Sequence, residues 1–205
     1  MLYDITPPIT PSLAVWTGDT PPTRELLCDM RRSDNLTLST LRATVHLGAH
    51  ADGPSHYGKD APAIHERALD YYLGPCQVIR VKVARAIRIV PAALPGDVSG
   101  SRILFATGTY PNPESWNSDF AALSVELIDF LHDRGVITVG IDTPSVDLFD
   151  SKDLPAHKAM LRHDMAILEG LVLKDVPEGT YELIALPLPL VGFDASPVRA
   201  VLRTR

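Results

Sequence analysis

The chain has 205 residues, 45% of them hydrophobic and 21% charged, a composition that fits a folded globular protein and excludes a disordered or fibrous one. Its net charge of −6 and its pI near 5.6 give no electrostatic reason to expect nucleic acid or an anionic membrane as partner. No run approaches the roughly 18 apolar residues of a spanning helix, the first residues lack a basic and apolar leader pattern, and Cys28 and Cys76 are too few for a disulfide framework, so a reducing cytoplasm is the expected setting.

In chain order, Pro7, Pro8, Pro11, Pro21 and Pro22 punctuate residues 1–22, with Ile9, Leu13, Val15 and Trp16 among them. This stretch reads as an extended arm packed on the body. Residues 35–46 mix Leu, Thr and Val in period-two character and predict a strand that runs into a histidine-rich loop. Further strands are expected at Val78–Val83, Ile103–Thr107, Val136–Asp142 and Glu182–Leu188. Ser124 can cap a helix in which Val125, Leu127, Ile128 and Leu131 recur at helical spacing, ending near Gly135. A second helix is expected from Leu154 or Pro155 to His163, followed by buried strand at Ala166–Leu168 and Leu171–Leu173 on either side of Glu169-Gly170. The short basic end, Arg199 to Arg205, reads as a solvated tail or a subunit contact. No repeat or interdomain linker interrupts this pattern, so one α/β domain with a mixed sheet is expected over residues 1–205.

Three of the seven histidines fall in His46-Leu47-Gly48-Ala49-His50-Ala51-Asp52-Gly53-Pro54-Ser55-His56. Imidazole nitrogen and carboxylate oxygen are the ligands that zinc and neighbouring divalent ions take when no thiolate is offered. The four-residue spacing of His46 and His50 is that of helical zinc-protease ligands, but Leu47 stands where the glutamate would be, and Gly48, Gly53 and Pro54 oppose a helix. A strand end and a turning loop can instead bring His46, His50 and Asp52 to one ion, leaving coordination open for water. His56 then lies close enough to exchange protons as a general acid and base. No G-x-S-x-G elbow is present, which argues against a serine-nucleophile hydrolase.

The run His46–His56 resembles the H-[TS]-G-[AT]-H-x-D-x-P-x-H signature of the cyclase-like metal hydrolases, and more narrowly that of the bacterial arylformamidases, the kynurenine formamidases; Leu47 replaces the usual small hydroxyl residue. The resemblance continues through Val15–Pro21, Tyr72–Cys76, Gly140–Ser145, Ala156-His157, Met165–Gly170, Tyr181–Leu188 and Asp194–Ala200, and so covers nearly the whole chain. It implies a swivelling β/β/α architecture, a homodimer whose subunits complete each other's sites, and two Zn²⁺ ions per subunit, with Mn²⁺ or another divalent ion as an alternative. His46, His50 and Asp52 would hold the first ion. Asp52 would bridge to the second, held also by His157, with Glu169 shared. His56 would be the proton donor and acceptor, and Trp16 would contact substrate.

Glu169 interrupts an apolar stretch, where a carboxylate is costly unless a cation or hydrogen bonds compensate it. The reaction implied is hydrolysis of N-formyl-L-kynurenine to L-kynurenine and formate, with hydroxide generated at the metal attacking the formyl carbon. The rival readings are a hydrolase for a cyclic amide such as isatin and a noncatalytic metal-binding protein on the same scaffold. His65, His132, His163, Trp116 and Asp142 carry no assigned chemistry.

Overall fold

The computed structural model describes residues 1–204. Its strands are β1 (Leu2–Asp4), β2 (Thr23–Cys28), β3 (Leu38–Arg42), β4 (His50–Asp52), β5 (Leu73–Arg80), β6 (Arg88–Ile89), β7 (Arg102–Ala106), β8 (Ala122–Leu123), β9 (Thr138–Ile141), β10 (Ala166–Glu169), β11 (Gly179–Ile184), β12 (Ala195–Pro197) and β13 (Val201–Arg203). The helices are α1 (Val125–His132) and α2 (Pro155–Arg162).

Nine strands form one mixed sheet in the order β1-β13-β11-β5-β7-β9-β10-β4-β12. Its centre, β5-β7-β9-β10, is parallel, and its flanks are antiparallel. A parallel centre must be covered on both faces, which is why β7 is buried at all five positions, Arg102-Ile103-Leu104-Phe105-Ala106. Ile103 and Phe105 pack with Leu127, Ile128 and Leu131 of α1 and with Ala156, Ala159 and Met160 of α2, so both helices cover one face. Leu104 and Ala106 face a second core that takes Ala51 from one flank of the sheet and Leu183 and Leu202 from the other. Strands that far apart in the order share a core because the sheet curls round it. The expected single α/β domain with a mixed sheet is the fold the chain adopts.

Several expected elements hold in place while others are redrawn. The helix capped by Ser124, whose hydroxyl accepts from Leu127 N at 3.1 Å, and the helix beginning at Pro155 are both present. The expected strand over 35–46 is shorter, ending at Arg42, and it joins an exposed two-stranded hairpin with β2 instead of entering the histidine loop. Pro21 and Pro22 have no N–H to donate, so the partner strand begins only at Thr23 and β3 ends at Arg42, with the single bond from Thr44 N to Thr20 O beyond it. Leu171 and Leu173 are buried, but the segment 171–173 is not strand. Gly170, at φ +64°, turns the chain, and Leu171 and Val172 then bond to two different places, Ile141 O and Ile5 O. The strand expected at Val78–Val83 starts earlier, at Leu73, and ends at Arg80; that at Glu182–Leu188 starts at Gly179 and ends at Ile184, ahead of Pro187.

Candidate active site

Strand β4 is three residues long, and its alternation decides the site. His50 and Asp52 share one face while Ala51 enters the core on the other. Antiparallel pairing with β10 sets Glu169 opposite His50, on the same face. Helix α2 covers that face and brings His157 from its first turn. His157 Nε2 lies 3.5 Å from Asp52 Oδ2 and 3.6 Å from Glu169 Oε1, and His50 Nε2 lies 3.4 Å from both Asp52 Oδ1 and Glu169 Oε2. From the loop before β4, His46 Nδ1 approaches Asp52 Oδ1 at 3.2 Å. His56 sits on the short helical turn after β4, its ring 4.2 Å from that of His46. All six histidine and carboxylate residues singled out in the sequence therefore meet in one cluster.

Two backbone and side-chain devices fix the buried imidazoles. His50 Nδ1 lies 2.9 Å from Gly48 O, which accepts its proton and turns Nε2 toward the carboxylates. Asp147 Oδ2 accepts from His157 Nδ1 at 2.8 Å and from the backbone N–H of His157, while Oδ1 accepts from Ala156 N and pairs with Arg88 at 2.7 Å. That pairing orients His157 with Nε2 toward the carboxylates. Glu169 is steadied by Val146 N, 2.7 Å from Oε1.

His50 Nε2 and both oxygens of Asp52 are buried and have no hydrogen-bond partner among the described residues. Leaving such groups unpaired is costly, and a cation between them would satisfy all three. His50, Asp52 and Glu169 each bring one ligand atom to within 4.8 Å of the others, and His46, Asp52 and His56 do the same. Burial alone would push the His50 and His157 imidazoles down. The neighbouring carboxylates, Asp52 and Glu169 at His50 and Asp147 and Asp52 at His157, outweigh it and raise both to about 10. Burial would likewise raise Asp52, yet the surrounding histidines hold its carboxyl well below the usual range. The field at this spot favours positive charge.

The cluster forms part of the wall of a cavity of about 590 Å³, a size that suits a small organic ligand. Trp16 lines the same cavity, its ring 5.3 Å from Trp116 and 5.1 Å from Phe149. The N-terminal segment reaches this position through Ala14 N, which bonds to Pro113 O at 2.9 Å. Trp116 and Asp142, left without a role from the sequence, also line the cavity. Asp142 accepts from Thr107 N, Thr107 Oγ1 and Gly108 N, tying the ends of β7 and β9 together.

Sequence reasoning missed Asp147, Arg88 and Asp194. Asp194 Oδ2 lies 3.0 Å from His46 Nε2 and 3.4 Å from His56 Nδ1. None of the three stands near the histidine loop in the chain, and a carboxylate that supports a ligand carries no local signature.

Residues 3–148 match the family model Cyclase, described as "Putative cyclase". The chain is 43% identical, over 98% of its length and 97% of the relative's, to the kynurenine formamidase of Bordetella petrii. A solved structure described as a potential metal-dependent hydrolase with cyclase activity superposes with a TM-score of 0.85 at 28% identity, covering 98% of this chain and 96% of that one. Isatin hydrolase A from Labrenzia aggregata shares the fold, with a TM-score of 0.83 at 22% identity over 100% of this chain and 94% of the other.

Proposed function

The chain belongs to the Cyclase family, and from that premise we propose that it hydrolyses N-formyl-L-kynurenine to L-kynurenine and formate. The observation that carries this reading is the set of buried ligand atoms with no hydrogen-bond partner among the described residues, His50 Nε2 and Asp52 Oδ1 and Oδ2, at an aromatic-sided cavity that His50 lines. The 43% identity to a kynurenine formamidase supports the choice of substrate.

The donor set of imidazoles and carboxylates suits zinc, with manganese as the alternative. In this reading His46, His50 and Asp52 would hold one ion, and Asp52 and His157 would hold a second, with Glu169 shared between them. When bound, such ions make hydroxide available from water near neutral pH and polarise a carbonyl oxygen. The protein's own groups do the rest. Trp16 offers its face to the aryl ring of the substrate. Gly48 O and Asp147 keep the nitrogens of His50 and His157 aimed at Asp52. His56, on the cavity wall, takes a proton from the attacking water and gives it to the departing arylamine nitrogen.

We also propose a homodimer. The hairpin of β2 and β3 exposes Leu27, Leu38 and Leu41, with Met30 at its turn, an apolar surface that a second copy would cover. A two-stranded ribbon is marginal by itself, which adds to the reason for covering it.

The substrate is tested by steady-state kcat/KM on N-formyl-L-kynurenine and on isatin with the zinc-loaded protein. Preference for the formamide is expected; turnover of isatin alone would replace this substrate with a cyclic amide.

A further inference from the structure

We infer that Asp194 is a positioning residue for the proton transfer carried out by His56, an inference that rests on the formamidase reading above. One oxygen, Oδ2, stands between two imidazoles, 3.0 Å from His46 Nε2 and 3.4 Å from His56 Nδ1. Its place is fixed by backbone, not by side-chain packing alone. Strand β12 pairs with β4 so that Ala195 faces Asp52, Asp194 O accepts from Gly53 N at 2.7 Å, and the preceding Phe193 O accepts from Ile64 N at 2.9 Å. Gly53 is held so closely here that a Cβ would meet Ile64 N at 2.8 Å and Asp194 O at 3.0 Å. The Asp194 backbone is thus tied to the very segment that carries the histidines, and its carboxylate reaches both rings from there.

A carboxylate at Nδ1 selects one tautomer and one orientation of the ring. Asp194 Oδ2 hydrogen-bonds His46 and makes only a charge contact with His56, but in this assignment the Nδ1 proton of His56 turns to Asp194 and Nε2 is the nitrogen left for the reaction. Nε2 takes one proton from the attacking water. As the C–N bond of the formamide breaks, the same proton passes to the arylamine nitrogen. Water supplies the hydroxyl of formic acid and the new hydrogen of the amine, and nothing is oxidised or reduced. Asp194 touches neither substrate nor the reacting atoms; it acts through His56.

The contact with His46 offers a competing explanation, in which Asp194 serves only to buttress a metal ligand. Leaving-group dependence separates the two, because help in protonating the departing nitrogen matters most when the amine leaves badly. The test compares wild type, Asp194→Ala and Asp194→Asn, all zinc-loaded, on formanilide and on 4-nitroformanilide, with zinc content and the N-formyl-L-kynurenine rate measured in the same preparations. For Asp194→Ala we expect kcat on formanilide to fall by about 10- to 100-fold with little change in KM, and kcat on 4-nitroformanilide to fall only several-fold. Asp194→Asn, which keeps an oxygen acceptor, should recover part of the loss. Equal losses on both substrates, or a loss that tracks missing zinc, would overturn the assignment to His56 while leaving the formamidase reading intact. A zinc-loaded wild type that turns over none of these formamides would overturn both.

Discussion

Asp52 is buried, neither of its oxygens has a hydrogen-bond partner among the described residues, and three imidazoles lie within 3.5 Å of it. Its neighbours supply two predictions. His56→Ala should lower kcat by about 10²- to 10⁴-fold, the usual worth of a general acid and base, while zinc content is unchanged. Loss of zinc in that variant would place His56 among the ligands, an arrangement that its nearness to His46 and Asp52 makes chemically reasonable. Asp147→Ala removes the acceptor that orients His157 and should weaken zinc binding by about 10- to 100-fold in a competition titration against a chelator. The contrast in legibility at this scale is physical. His46, His50, Asp52 and His56 sit within eleven residues and announce themselves by type and spacing. Asp147 and Asp194 act on rings that are distant in the chain, so only the fold discloses them.

At the scale of elements, the meeting of two turns matters more than any helix. Gly170, directly after Glu169, is at φ +64°, and a Cβ there would lie 2.1 Å from Gly48 O, the carbonyl that fixes His50. Gly170→Ala therefore combines left-handed strain with a backbone clash. It should lower thermal stability and zinc affinity together, as read by calorimetry and metal titration, whereas a drop in stability with unchanged zinc affinity would show that the two turns are not coupled. Helices were legible because periodicity and caps are local signals: Ser124 and the Val125–Leu131 stripe for α1, Pro155 for α2. The three-residue strands β1, β4, β12 and β13 were not, since so short a segment becomes strand only through its partners. The 35–46 stretch shows the opposite error. Its β-forming residues do form a strand, but the prolines at 21 and 22 decide where its partner begins and hence where it ends.

For the whole molecule, the curled sheet brings together residues from both ends of the chain, and the termini pair directly: β1 joins β13, and Asp4 binds Arg199 through two nitrogens. The Arg199 guanidinium holds the Asp4 carboxyl below its ordinary value of 3.8. A carboxyl lowered by folding stabilises the folded state above its unfolded pKa, and that contribution is lost as pH falls through the folded one. Asp4→Asn should thus cost well under about 1 kcal/mol at pH 7, the pair being solvent-screened, and nothing once the pH is far below 3.8, as denaturant titrations at the two pH values would show. The class of the fold could be read from composition and from alternating strand and helix signals; the order of nine strands could not, because it rests on pairings between segments that are remote in sequence. The most direct test of the central claim is the rate of N-formyl-L-kynurenine hydrolysis by the purified protein before chelation, after chelation and after zinc is restored, with metal content measured at each stage. Activity that disappears with the metal and returns with it is the predicted result. A fully metallated protein that leaves N-formyl-L-kynurenine intact would contradict the account.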